Sequence, residues 1–234
     1  MRKNDIYDML QDVDDTLLLI AENYVKAVEN KEMKEILKVK IKNTMENLRS
    51  CLDYCIHDID ECVLGKHRIK LYFPYKETKN EFKDIINKNF KGLRNKNPKI
   101  YSILESIQDF QNEDSPWLTI LCRKTNKVKH DSSLEQKRQD NHQVDIGNGL
   151  ISMVNTRATF EGCVMNGVPL SLSVSPEGNI TSRQPIDPRL SIEKIDWVTF
   201  TISGTNRDVL EFLTQCKNGI ERMVREIYTE IEKI

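Results

Sequence analysis

Apolar residues recur every three or four positions through the first half of the chain and alternate by twos only late in it, so helices should come first and strands after. Asn4 or Asp5 suits the cap of a first helix running to about Asn30, with Ile6, Leu10, Val13, Leu17, Ile20 and Val25 turned inward. The longest stripe, Ile41, Met45, Leu48, Leu52, Cys55, Ile56, Ile59 and Val63, predicts a second helix from about Lys31 to Leu64, the spine of a bundle. Gly65 ends it. His67 to Tyr75 reads as an extended connection in which Leu71, Tyr72 and Phe73 close over the core. Phe82, Ile85, Ile86 and Phe90 mark a helix over Glu77 to Phe90, and Ile100, Ile103, Leu104 and Ile107 mark another that starts at Pro98 and ends near Asp109 to Ser115.

The next helix, Trp117 to Ser133, carries two different stripes. Leu118, Leu121, Cys122, Thr125 and Val128 fall on one side, and Arg123, Asn126, Lys127 and His130 on the other. The step from Arg123 to His130 is about two turns, or roughly 10 Å of rise, so both could address one ligand lying along the helix.

After Ser133 the pattern changes. From Val144 onward Gly, Asn and Ser become frequent and β-branched residues cluster. Asn166-Gly167, between two alternating segments, predicts a hairpin, because a type I′ turn needs positive φ at both central positions. Pro176 to Asn179 marks a second turn, and Ile195 to Ser203 a further strand. One antiparallel sheet of three to five strands is expected. Thr205 or Asn206 should cap a last helix whose Val209, Leu213, Cys216, Ile220, Met223, Ile227 and Ile231 to Ile234 make a narrow seam, suited to the second helix or to a neighbouring subunit. The expected fold is mainly α within the α+β class: a helical bundle over 1–142, a small antiparallel β annex over 143–204 inserted before the C-terminal helix, and that helix over 205–234 packing back on the bundle.

Composition narrows the function classes. The chain has 234 residues, of which 38% are hydrophobic, enough for a core, and 30% are charged, with a net charge of −1. No global field attracts nucleic acid, so any RNA contact must come from a local patch. The most basic local run is Lys88, Lys91, Arg94, Lys96 and Lys99. With no long apolar run and no secretory signal in Met1 to Leu10, no membrane partner is expected and the cytoplasm is the expected compartment.

No cofactor or metal is expected. Cys51, Cys55, His57 and Cys62 lie on one helical run without the second ligand pair of a zinc site, and Cys122, Cys163 and Cys216 also occupy apolar-periodic positions, so buried reduced thiols are expected. Asp12, Asp14 and Asp15 lack the glycine and terminal glutamate of a calcium loop. Gly147 and Gly149 lack the continuation of a phosphate-binding loop. Arg49, Asp53 and His57 stand at i, i+4 and i+8 on the second helix, an ion-pair ladder that would support a site if it faced Arg123 and His130.

Glu46 to Ile59 (ENLRSCLDYCIHDI), Leu71 to Phe82 (LYFPYKETKNEF), Ile100 to Phe110 (IYSILESIQDF) and Trp117 to Ser132 (WLTILCRKTNKVKHDS) resemble, in that order, a group of bacterial helical proteins of uncharacterised function. More remotely, the bundle with Arg123, six residues and then His130 is similar to HEPN domains. That resemblance implies metal-independent RNA cleavage in toxin or antiviral defence systems, at a composite site between two subunits. His130 would be the acid or base and Arg123 the phosphate clamp. Asn126 and Lys127 would orient or neutralise the phosphate, with Asp53, His57 and Arg49 in support. Many HEPN nucleases place Asn, Asp or His directly after the arginine, where this chain has Lys124. The implied partners are RNA, a second copy of the chain and a neighbour-encoded protein. The competing expectation is a non-catalytic interaction or sensor module in which the same polar residues serve packing.

Overall fold

A computed structural model describes residues 1–130 and 135–234, without the side chains of residues 127–130. The described helices are α1 (Lys3–Glu29), α2 (Lys38–Cys62), α3 (Lys79–Asn89), α4 (Leu93–Lys96), α5 (Pro98–Ser106), α6 (Leu118–His130) and α7 (Val209–Ile231). The strands are β1 (Gln136–Ile146), β2 (Ile151–Val154), β3 (Ala158–Met165), β4 (Val168–Val174), β5 (Ile180–Thr181) and β6 (Ile192–Ile202). The fold is mixed α+β. None of the described helices is long and apolar enough to cross a membrane.

The chain forms two compact units. The first comprises residues 1–21, 37–135 and 202–234, and the second residues 22–36 and 136–201, so α1 supplies residues to both. Residues 22–36 and 136–142, which the composition groups with the helices, therefore cluster with the strands.

In the first unit α2 is the spine, and Ile41, Met45, Leu48, Leu52, Cys55, Ile56 and Ile59 are all buried. Burying a side chain of this size contributes about 1.5–3 kcal/mol, against about 0.3–0.5 for an exposed i, i+4 ion pair, so the apolar stripe decides the helix. α7 packs against α2 and α5, and its Val209, Leu213, Cys216, Ile220, Met223, Ile227 and Ile231 are buried. The Tyr228 hydroxyl donates to buried Asp58 at 2.6 Å, and Arg2 bridges Asp58 and Glu61 at 2.7 Å each. Gly219 of α7 sits against Trp117, where an added Cβ would stand 2.6 Å from the ring.

Several boundaries differ from the sequence expectation. The second helix begins at Lys38, not Lys31, because Leu37 adopts φ 39°, a left-handed conformation that breaks the path of a helix. Val25, expected inward, is 70% exposed, and Ile234, at the end of the expected seam, is 72% exposed. The cap of α7 is Asp208, whose carboxylate accepts the N–H groups of Leu210 and Glu211, in place of Thr205 or Asn206. Asp12 accepts from Asn47 and Asp14 pairs with Lys217, so two of the three early aspartates tie α1 to its neighbours.

The second unit holds two three-stranded sheets, β2-β1-β6 and β3-β4-β5, where a single sheet was expected. Asn155 separates them. Its φ of 48° turns the chain out of the first sheet after β2, and its side chain accepts the His142 N–H at 2.8 Å and donates to Asn141 at 2.9 Å. The two sheets share one core, with Val144, Ile146 and Met153 from the first and Leu170, Leu172 and Val174 from the second. The hairpin forms at Asn166-Gly167, with φ of 51° and 77°, as the dipeptide requires.

The start of β1 is polar yet well anchored. Gln136 bonds both the N–H and the C=O of Ile36, at 3.1 and 2.7 Å. Arg138, with only 5% of its side chain exposed, donates to the carbonyls of Ala27, Asn30 and Met33. Those carbonyls are at or just past the end of α1, where a helix leaves acceptors unmet and its dipole favours a cation. This explains why residues 22–36 cluster with the strands.

Candidate functional site

Residues 71–76, between α2 and α3, form a connection outside the regular elements. Leu71 and Phe73 are buried, while Tyr72 faces solvent. Two side chains pin the segment. Asp53 of α2 accepts the Phe73 N–H at 2.7 Å, and fully buried Gln108 accepts the Lys76 N–H at 3.0 Å. The Gln108 amide in turn donates to the carbonyls of Pro74 and Leu104, so its polar atoms are met inside the core.

A second device sets α6. Asp109, 8% exposed, lies in the 3-10 turn Asp109–Gln111 and accepts three N–H groups: Trp117 and Leu118 at 3.0 Å each and Thr119 at 2.8 Å. One carboxylate thus closes most of the open donor end of the helix and complements its dipole. Along α6, Leu118, Leu121, Cys122 and Thr125 are buried, and Arg123 and Asn126 are exposed, which is the division of faces the spacing predicts.

Between α2, the 71–76 segment, α3 and α6 lies an open cleft of about 610 Å³. Arg49, Arg68, Lys70, Lys76 and Arg123 line it, with Tyr72, Tyr75, Asn126 and the carboxylates of Glu77 and Glu81. Its cations do different work. Arg49 is 7% exposed, pairs with Asp53 at 3.2 Å, lies over the Tyr75 ring at 5.4 Å and donates to the Cys122 sulfur. It is a packing cation that ties α2 to α6 beneath the cleft. Arg68 is held by Asp60 and by the Asn89 carbonyl. Lys70 is exposed and Lys76 half-buried. Arg123 pairs with Glu77 while 64% of its side chain stays in solvent, and Asn126 reaches the Tyr75 hydroxyl at 3.5 Å.

Arg49, Arg123 and Asn126, proposed from sequence, therefore meet at one cleft, and Asp53 supports it from behind. The Arg49–Asp53 part of the ladder is an ion pair within the fold, and neither Asp53 nor His57 lines the cleft. His130 is the last residue of α6, about two turns beyond Arg123. The side chains of His130 and Lys127 lie outside the described residues, as does that of Val128. Lys124, which follows Arg123, donates to the Ser203 carbonyl. The basic run at 88–99 does not join the cleft; Arg94 lies over the Tyr101 ring and Lys96 donates to the Leu64 carbonyl.

Lys70, Tyr75, Lys76 and Glu77 were not singled out by the sequence reading. The signal for the first three is the interleaving of basic and aromatic residues in RIKLYFPYK, a pattern that offers both charge and stacking surface; Glu77 follows it directly.

The cysteines are free thiols. Cys51, Cys55, Cys122 and Cys216 are buried, and burial pushes the Cys122 thiol up to about 12, with Arg49 pulling the other way. Cys163, expected to be buried on its apolar period, is exposed, because the β3 register shifts between Phe160 and Cys163. Among the described residues no group of three or more His, Cys, Asp or Glu is placed to hold a metal ion. No protein-family model, curated protein or solved structure gives a significant match to this chain.

Proposed function

We propose that the first unit is an HEPN-like helical domain that binds single-stranded RNA in the cleft between α2 and α6 and cleaves it without a metal ion. The observation that carries the reading is Arg123: a guanidinium that keeps most of its surface in solvent while paired with exposed Glu77, at the edge of a cleft that Lys70 and Lys76 also line. A guanidinium can grip two phosphate oxygens at once, and the lysines add charge along the strand. Exposed Tyr72 offers a face on which a base can stack.

In the cleavage step His130 takes the ribose 2′-hydroxyl proton as the 2′-oxygen attacks phosphorus. Arg123 holds the charge that develops on the phosphorane oxygens, and Asn126 and Lys127 position the phosphate. The bond to the 5′-oxygen breaks, leaving a 2′,3′-cyclic phosphate, and that oxygen takes a proton from His130 of the partner subunit. A homodimer, a cytoplasmic setting and a toxin or defence role with a neighbour-encoded partner belong to the same reading.

The test is incubation of the purified protein with a panel of single-stranded RNAs in EDTA. Cleavage to cyclic-phosphate ends, lost in His130→Ala while the melting temperature holds, supports the reading; intact RNA overturns the catalytic part. A non-catalytic interaction module is the second reading, and the packing roles of Arg49 and Arg68 favour it. It predicts that Arg123→Ala leaves nucleic-acid behaviour unchanged.

A further inference from the structure

A second hollow of about 420 Å³ lies beside the cleft, and the two share Glu77, Thr119 and Arg123. Beyond that shared wall their chemistry differs. The cleft is cationic, whereas the second hollow presents Phe110, Pro116 and Ile120 with the exposed carboxylate of Glu113. Asp109 also borders it, but both of its oxygens are engaged by α6. Thr119 is 9% exposed, and its hydroxyl has no hydrogen-bond partner among the described residues. A buried hydroxyl left unmet is costly, so an arriving ligand atom that bonds it gains affinity.

A ligand that fills both hollows needs negative charge at one end and a flat, partly apolar body carrying hydrogen-bond donors at the other. A nucleotide meets both requirements. Resting on the RNA reading above, we propose that the second hollow is a base-recognition subsite that selects guanine through Glu113. The guanine edge offers two adjacent donors, N1–H and the N2 amino group, which match the two oxygens of one carboxylate. Adenine and cytosine each present one donor beside an acceptor nitrogen, and uracil one donor between two carbonyls, so a carboxylate faces repulsion from each. Phe110 and Ile120 supply the apolar surface for the ring. Arg123, on the shared wall, leaves Glu77 for the phosphate next to that base.

The test is fluorescence anisotropy of the full chain with labelled uridine decamers carrying one central guanosine, one central adenosine or neither. The guanosine decamer should bind about tenfold more tightly than the other two. Glu113→Gln and Glu113→Ala should erase that preference and leave binding of the all-uridine strand unchanged, while Arg123→Ala weakens all three alike. Equal affinity for the three decamers, a preference for adenosine, or a guanosine preference that survives both Glu113 variants overturns guanine selection and leaves RNA binding standing. No binding to any decamer overturns both.

Discussion

Arg123 and Glu77 form an ion pair in which both side chains keep more than half of their surface in solvent, 64% and 58%. An exposed pair of this kind contributes about 0–1 kcal/mol, so it tethers the guanidinium without locking it. A bidentate phosphate offers a stronger partner. Glu77→Gln should therefore tighten binding of a single-stranded oligonucleotide by about two- to fivefold, and move the melting temperature by less than about 3 °C. Anisotropy titration and a thermal melt check the two halves; weaker binding would assign Glu77 to the ligand instead.

Asp109 holds α6 in place through three backbone donors, and its removal leaves them inside the fold. Losing a cap of this type costs about 1–2 kcal/mol, and burial of the orphaned donors adds to it. Asp109→Ala should lower the denaturant midpoint at unchanged slope, and Asp109→Asn should fall between the variant and the native protein. An unchanged midpoint in Asp109→Ala would show that water replaces the carboxylate.

How much of this was legible in the sequence depends on the range of the contacts. The α2 stripe from Ile41 to Ile59 and the Asn166-Gly167 turn are local patterns, and each produced its element. The break at Leu37 was not readable, because no glycine or proline marks it, and the polar side chains of Gln136 and Arg138 disguised the start of β1. The two faces of α6 were legible as far as Asn126. The cap at Asp109 was not, since it stands eight residues before Trp117 where an N-cap is normally adjacent to its helix. Arg49 was legible as a cation near the site; only packing against Cys122 and Tyr75 reveals that it is buried.

The Asp60 carboxyl is subject to opposing influences. Burial raises it, but the hydrogen bonds from Arg68 outweigh that and hold it below the ordinary carboxylate range. A carboxyl depressed in the folded state contributes stability that is present above its unfolded value of about 4 and is lost as pH falls through the folded value. Thermal melts from pH 7 downward should therefore show a loss of stability below about pH 4. Asp60→Asn should be less stable at pH 7 and show a shallower acid decline; a parallel decline would remove Asp60 from the acid response.

Thiol chemistry separates the six cysteines. Cys51 and Cys122 are buried and pushed up to about 12 by burial, whereas Cys163 is exposed on β3. Only a thiolate in reach of solvent alkylates. Iodoacetamide on the native protein should modify Cys163 first, with half-buried Cys62 slower, and should reach Cys51, Cys55, Cys122 and Cys216 only after denaturation. Peptide mapping reads the order; early labelling of Cys122 would contradict the packing beneath the cleft.

The most direct measurement is the affinity of a labelled single-stranded RNA for the native protein and for Arg123→Ala at about 50 and about 200 mM salt. If Arg123 clamps a phosphate, native binding weakens with salt, and the variant binds at least about tenfold more weakly with a salt slope smaller by about one. Superimposable isotherms and equal slopes for the two proteins would contradict the account.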